Sequence, residues 1–179
     1  MSLLARVSQL LDTHGIDHAL IGAAALAAHG VARATADLDL FATDARCLSE
    51  ALWVELRSTA TTVEVRLGDE SDPLAGVVRV VSKDEAPIDL IVGKRAWQRA
   101  LPRRATPTRI GDVSLRVVEA ADLVLLKLYA GGPQDAWDID QLLDVDPSLA
   151  SEVEARLGPL PSECRELWHR IRSQRPEPA

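Results

Sequence analysis

Two aspartates separated by one residue are the first feature of this sequence that could do chemistry. Asp37 and Asp39 lie in the run DLDLFA, residues 37–42, whose alternation of polar and apolar residues predicts a β-strand. Because successive side chains of a strand point to opposite faces, both carboxylates would share one face. Their mutual repulsion favours a cation between them, and hard divalent cations prefer oxygen ligands. An edge strand with two solvated aspartates is an alternative explanation of the same pattern.

A third aspartate interrupts an otherwise apolar run. Asp89 lies in PIDLIV, residues 87–92, which predicts a buried strand. An isolated carboxylate in such a strand would be costly to bury. If this strand neighbours the first, Asp89 joins Asp37 and Asp39 on one face. Three convergent carboxylates at a sheet are typical of metal-assisted phosphoryl or nucleotidyl transfer.

The residues that precede the first acidic strand could bind phosphate. Gly22 follows a short predicted strand, residues 18–21, and begins an alanine-rich helix. The first turn of a helix has free N–H groups, and a glycine lets an anion approach the backbone closely. A simple tight turn would also explain Gly22. Arg33 and Thr35 lie in the connection to the acidic strand, where they could contact phosphate or hold the loop.

The composition is that of a globular protein. Of 179 residues, 47% are hydrophobic and 26% are charged, which fits one compact domain. The net charge of −7 argues against a nucleic-acid partner. Residues 93–116, however, carry seven basic residues and one acidic residue, a local charge of +6. This basic segment could attract a phosphate-bearing partner or form a solvated helix face.

The remaining global features predict a cytoplasmic protein. The first residues have apolar positions at helical spacing interrupted by polar ones, which predicts neither a signal peptide nor a membrane span. Cys47 and Cys164 are far apart in the sequence, so reduced thiols are expected rather than a zinc site.

Hydrophobic periodicity predicts a mixed α/β fold. Strands dominate up to about residue 118 and helices dominate after it, which predicts a core at 1–118, a helical lobe at 119–175 and a disordered tail at 176–179. Trp137 and Trp168 are expected to be core residues. The further predicted elements are a helix at 2–14, a helix capped by Asp44 that runs to about Arg57, a hairpin of 61–67 with 76–82, a strand pair near 108–118, and helices at 119–130, 134–144, 147–157 and 161–174.

The run LIGAAALAAHGVARATADLDLFATD, together with PIDLIV, resembles the DNA-polymerase-β-like nucleotidyltransferase superfamily. That pattern is a glycine followed by Gly or Ser, about a dozen residues, an acid-x-acid strand and a third acid on a later strand. Here 13 residues separate Ala23 from Asp37. The runs VARATADLDL and EAADLVLLKLYAGGPQDAWDIDQL are similar to the AbiEii-type and minimal nucleotidyltransferase branch, known for toxin–antitoxin pairs. The resemblance covers roughly residues 19–143.

The resemblance implies a nucleotidyltransferase fold: a mixed sheet flanked by helices, with a C-terminal helical lobe that closes over the nucleotide. It implies Mg2+ at Asp37, Asp39 and Asp89, and a nucleoside triphosphate against Gly22 and Ala23. The acceptor would be a protein hydroxyl or an RNA 3′ end such as that of tRNA. Ala23 stands where the family usually has Ser or Gly, which removes a hydroxyl. Ala23 therefore favours the alternative of a catalytically silent relative that binds a nucleotide or a partner protein.

Lys127 lies in a helix that is apolar nearly all round, so its ammonium group needs a partner. The resemblance implies that Lys127 faces the active site and contacts phosphate or an acidic ligand. Alternatively, its stem lies along the core and its head reaches water. Asp135 and Asp138 share a face of the next helix and resemble an Asp-x-x-Asp stretch of the family, with Gln134 in place of a basic residue. Asp135 also suits a helix N-terminus.

Overall fold

The computed structural model describes residues 1–110 and 113–175, so the predicted tail at 176–179 lies outside the described residues. Three short 3-10 helices, at Ala45–Leu48, Glu50–Trp53 and Ala96–Ala100, accompany the helices and strands. In chain order these are α1 (Leu3–Thr13), β1 (His18–Ile21), α2 (Gly22–Ala28), β2 (Leu38–Ala42), β3 (Thr61–Leu67), β4 (Leu74–Ser82), β5 (Ile88–Gly93), α3 (Leu101–Arg104), β6 (Thr106–Ile110), β7 (Val113–Val117), α4 (Ala120–Ala130), α5 (Pro133–Val145), α6 (Leu149–Arg156) and α7 (Ser162–Ser173).

The described strands form one mixed sheet of seven strands in the order β3-β4-β5-β2-β1-β7-β6. β2 lies between β1, to which it is antiparallel, and β5, to which it is parallel. Leu40, Leu90 and Val78 are neighbours across β2, β5 and β4, and all three are fully buried. One face of these strands therefore belongs to the core. The residues that alternate with them lie on the opposite face, and the aspartates are among those residues.

The C-terminal helices pack on one another and on the sheet domain through α4. α4 contacts α5, α6, α7 and α2, which explains why its sequence is apolar on nearly every side. The fully buried Trp168 confirms one predicted core residue. The prediction for Trp137 is wrong, because its side chain is 47% exposed. α5 buries Ile139 and Leu142 instead, and Trp137 lies off that face of the helix.

The segment after Asp44 differs from the single helix that the sequence predicts. Asp44 does cap it, accepting a hydrogen bond from Arg46 N at 2.9 Å. Two 3-10 helices then follow, separated at Ser49, where the backbone is extended. The indole of the buried Trp53 donates to the carbonyl of Cys47 at 2.8 Å, and an α-helix would need that carbonyl for its own hydrogen bonds. Packing of one tryptophan thus overrides helical propensity here.

Two further features of the structure concern its cysteines and the length of its helices. Cys47 and Cys164 are buried free thiols, and burial raises the pKa of Cys47 to about 12. None of the helices in the described part of the chain is long and apolar enough to span a membrane.

Candidate active site

The structure brings together the three aspartates that the sequence predicted to converge. Asp39 on β2 and Asp89 on β5 are register partners. Neighbouring strands lie about 4.8 Å apart, so these two carboxylates are adjacent on the face opposite the core. Asp37 lies in the bend just before β2, and it shares an ion-pair partner, Arg79, with Asp89. We call Asp37, Asp39 and Asp89 the acidic centre.

Arg79 binds two members of the acidic centre. It lies on β4 as the register partner of Asp89. Its Nη1 donates to Asp89 Oδ2 at 2.6 Å, and its Nη2 donates to Asp37 Oδ2 at 3.2 Å. Sequence reasoning missed this residue. The sequence did contain a signal of the kind that identified Asp89, namely a charged residue in an apolar strand. Arg79 is the single charged residue of the apolar run LAGVVRVVS.

The surroundings of Asp39 disfavour its charged form. Burial raises its pKa most, and the carboxylates of Asp89 and Asp37 raise it further. Lys127 and Arg33 lower the pKa of Asp39 in part, which shows that both cations lie within electrostatic range of it. The acidic centre therefore concentrates negative charge that an additional cation would stabilise.

Gly22 packs directly against Asp39. A Cβ atom at Gly22 would lie 2.0 Å from Asp39 Oδ2, a distance that side chains do not adopt. The backbone at Gly22 has φ +65°, in the left-handed region that favours glycine. Ala23 is the next residue of α2 and is buried. Two independent features of the structure thus require glycine at the start of α2.

The donor chemistry of the acidic centre fits a hard divalent cation. Its ligands are carboxylate oxygens, and Asp89 Oδ1 is buried without a hydrogen-bond partner in the described structure. Within residues 1–110 and 113–175, however, no three His, Cys, Asp or Glu side chains are arranged to hold a metal ion as they stand. The guanidinium of Arg79 lies between Asp37 and Asp89. Chelation of one ion by all three carboxylates therefore requires Arg79 to move.

The ammonium group of Lys127 is satisfied by acidic side chains of α5. Its Nζ donates to Asp138 Oδ2 at 2.5 Å and to Asp135 Oδ1 at 3.2 Å. Asp138 is fully buried and also accepts hydrogen bonds from Arg33 at 2.8 Å and Gln134 at 3.2 Å. Asp135 additionally accepts from the N–H of the residue that precedes α5, as a helix N-terminus favours. The charges of this network are therefore mutually paired.

Arg33 and Thr35 hold the loop that leads to the acidic centre. The bond from Arg33 to Asp138 ties this loop to α5. Thr35 Oγ1 donates to the carbonyl of Asp37 at 2.8 Å and accepts from its N–H at 3.3 Å, which stabilises the bend before β2. Of the two roles considered for these residues, the contacts favour the positioning role. Their contact with phosphate stays a prediction.

The basic segment of residues 93–116 is engaged in contacts within the chain. Lys94 Nζ donates to the carbonyl of Asp69 at 2.8 Å. Arg104 makes two hydrogen bonds, at 3.0 and 2.7 Å, to the fully buried Asp122. Lys94 thus holds the β3–β4 connection and Arg104 joins α3 to α4, so the local charge of +6 is not by itself evidence for an RNA surface.

A cavity of about 330 Å3 opens beside the acidic centre. It lies towards β4 and β3, on the side of Asp89 that faces away from Gly22. Asp89 and Arg79 are part of its wall. The other lining residues are mainly apolar and come from the β3–β4 hairpin: Arg66, Leu67, Gly68, Asp72, Pro73, Leu74, Gly76 and Val77.

One of three compared solved structures supports the fold, the first of those that follow. The solution structure of the antibiotic-resistance factor ANT(2'')-Ia has a TM-score of 0.51 at 18% identity, covering 96% of this chain and 90% of that one. The crystal structure of ANT(2'')-Ia with adenylyl-2''-tobramycin gives 0.49 at 18% identity, covering 96% of both chains. That of the lincosamide antibiotic adenylyltransferase LnuA with lincomycin gives 0.48 at 12% identity, covering 79% of this chain and 95% of that one.

Comparison of sequences identifies the family. A search among curated proteins found no match. Residues 1–159 match the family described as "Nucleotidyl transferase of unknown function (DUF2204)". The toxin–antitoxin branch is not identified by these matches and stays a prediction. The match spans most of the chain and includes the whole acidic centre, so this protein is a nucleotidyltransferase and belongs to the DUF2204 family of nucleotidyl transferases.

Proposed function

We propose that this enzyme transfers a nucleoside monophosphate from a nucleoside triphosphate to a hydroxyl group of an RNA or a protein, in a magnesium-dependent reaction. The observation that carries the proposal is the position of the acidic centre. Asp39 on β2 lies beside Asp89 on β5, Asp37 shares the ion-pair partner Arg79 with Asp89, and the carboxylate of Asp39 packs against the backbone of Gly22. Such carboxylate patches suit phosphoryl transfer because they bind the cations that neutralise phosphate charge.

The three carboxylates have separate roles in the proposed reaction. Asp37 and Asp39, with an oxygen of Asp89, would hold Mg2+, which would neutralise charge on the phosphate oxygens. Asp89 would accept the proton of the attacking hydroxyl. Arg79 occupies its Oδ2, and its Oδ1 is buried without a hydrogen-bond partner among the described residues. The hydroxyl oxygen forms a bond to the α-phosphorus while the bond to pyrophosphate breaks, and pyrophosphate leaves with the electron pair.

The nucleoside triphosphate lies against Gly22 and Ala23 in this proposal. Gly22 supports it by its position, since it begins α2 directly beside Asp39, whose carboxylate fills the space that a side chain would take. Lys127 and Arg33 are cations near the same carboxylate, because both lower the pKa of Asp39. Thr35 fixes the bend that carries Asp37. A role in a toxin–antitoxin pair would add a partner protein that blocks this site.

A label-transfer experiment tests the proposal. The protein is incubated with Mg2+ and each α-32P nucleoside triphosphate, with bulk tRNA in one arm and a protein extract in the other. We expect label on a macromolecule with one nucleotide, loss of transfer with EDTA, and loss in Asp89→Asn. Asp84→Asn, which removes the same charge from an exposed turn, serves as the matched control and keeps the activity.

Two outcomes would contradict parts of this proposal. Transfer that survives Asp89→Asn or EDTA would remove the acidic centre or magnesium from the mechanism. Nucleotide binding without transfer to any acceptor would identify a catalytically silent relative, the alternative that Ala23 favours. The arm in which label appears decides between an RNA and a protein acceptor.

A further inference from the structure

Arg79 lies where a cation held by the acidic centre would have to lie. We infer that Arg79 is a built-in counter-ion that competes with a divalent cation for Asp37 and Asp89, and so sets the metal affinity of the site. This inference rests on the proposed metal site. It makes Arg79 a residue that controls cation binding without touching the cation.

The contacts of Arg79 show the competition directly. Its two terminal nitrogens bind different carboxylates, at 2.6 Å to Asp89 and 3.2 Å to Asp37. A planar guanidinium spans such a pair of oxygens better than a point charge does. A cation that took the same Oδ2 atoms would break both hydrogen bonds. It would also lie within a few ångströms of the guanidinium charge, where the repulsion is strong.

The structure offers Arg79 a place to move. Its side chain is 37% exposed and forms part of the wall of the cavity beside Asp89. Glu64 on β3 is the register partner of Arg79 on the side opposite to Asp89, and its side chain is 58% exposed. The pKa of Glu64 is lowered mainly by its bond to Arg66 and partly by the charge of Arg79. A displaced guanidinium would therefore reach a second carboxylate in the same row of the sheet, which it would share with Arg66.

Competition by Arg79 and a purely structural role of Arg79 predict opposite effects of its removal on cation binding. If Arg79 only positioned the carboxylates, its removal would scatter them and weaken cation binding. If Arg79 competes, its removal strengthens cation binding, because the cation no longer has to break two charge-assisted hydrogen bonds. Partly exposed bonds of this kind correspond to a change in dissociation constant of about tenfold.

Binding of Mn2+ alone provides the test, with no nucleotide and no turnover. The free Mn2+ signal in electron paramagnetic resonance gives dissociation constants for wild type, Arg79→Ala and Arg79→Met. We expect both variants to bind Mn2+ about tenfold more tightly than wild type. Lys83→Ala is the control, because it removes a positive charge from the exposed turn that follows β4 and leaves Arg79, Glu64 and the acidic centre unchanged. It should change the affinity by less than about twofold.

A thermal scan gives a second, independent readout. Without metal, Arg79→Met should melt below wild type, since two carboxylates lose their partner. Saturating Mn2+ should then raise its melting temperature by more than that of wild type. Equal or weaker Mn2+ binding by both Arg79 variants, with binding by wild type retained, overturns this inference alone. Absence of Mn2+ binding in every variant, including wild type, overturns the metal site as well.

Discussion

Replacing Asp39 with Asn is expected to abolish nucleotide transfer and to stabilise the fold at neutral pH. Arg79 pairs with Asp37 and Asp89 and leaves Asp39 without a hydrogen bond from any described residue. An amide of nearly the same shape therefore loses no partner. It removes a charge that burial, Asp89 and Asp37 all disfavour, as the raised pKa of Asp39 shows. The same change deletes one of the proposed magnesium ligands.

The size of the gain follows from the positions of the charges. Asp89 lies on the neighbouring strand, roughly 5 Å from Asp39, and Asp37 is two residues away along the chain, roughly 7 Å from it. At those distances a like-charge pair costs roughly 0.8 and roughly 0.6 kcal/mol in water-like surroundings, and more where the pair is partly buried. Attraction to Lys127 and Arg33 offsets part of this cost. We expect a net gain in unfolding free energy of about 1 kcal/mol, which corresponds to about 2–4 °C in melting temperature for a chain of this length.

The gain has a definite dependence on pH. Because the pKa of Asp39 is raised in the folded state, the native protein retains a proton that the unfolded chain has released. This residue's contribution to stability is therefore present below its ordinary pKa of 3.8 and is lost as pH rises through the higher folded value. Asn does not titrate. The advantage of the variant should be complete at pH 7 and should vanish as pH falls towards the ordinary pKa.

Urea unfolding followed by circular dichroism, without metal and between pH 4 and pH 8, measures this difference. Asp84→Asn changes the net charge equally on an exposed turn and should shift the free energy of unfolding by less than about 0.5 kcal/mol. An Asp39→Asn protein less stable than wild type at pH 7 would refute the argument from charge crowding. So would a gain that stays constant as the pH is lowered.

Two further substitutions test the packing around the acidic centre. Gly22→Ala places a Cβ 2.0 Å from Asp39 Oδ2 at a left-handed backbone position, so we expect a loss of about 2 kcal/mol or more, measured in urea, together with loss of transfer; unchanged stability would contradict the described contact. Asp138→Ala leaves the buried ammonium of Lys127 short of its closest partner and should cost about 3–5 kcal/mol. Lys127→Met should cost less, since Asp138 keeps its ion pair with Arg33, and equal losses in urea would refute this ranking.

The acidic centre was predictable because its signals are local. Alternation along DLDLF and the placement of Asp89 among Ile88 and Leu90 both follow from the rule that a strand has two faces. The one non-local assumption was that these strands are neighbours, and the parallel register of Asp39 with Asp89 confirms it. The helices after residue 119 were predictable for a similar reason, since their hydrophobic residues recur at helical spacing and glycines mark helix ends.

The features that sequence reasoning missed depend on contacts made across the fold. The role of Arg79 requires the register of β4 on β5, and no residue next to it in sequence indicates that register. The 3-10 helices before Arg57 result from the packing of Trp53, and the exposure of Trp137 depends on which face of α5 is covered. In each case, local propensity allowed two outcomes and tertiary packing selected one.

The ion-pair partners of the nearby basic side chains indicate which of these side chains moves when a metal cation binds at the acidic centre. A divalent cation there would repel the cations near it, among them Arg79, Lys127 and Arg33. Lys127 and Arg33 would keep their places, because both are bonded to Asp138, which is fully buried and remote from direct ligation. Arg79 differs, since the carboxylates it binds are themselves members of the acidic centre. Binding of a cation therefore removes the partners of Arg79 alone, and the helical side of the site stays in place while β4 releases its arginine.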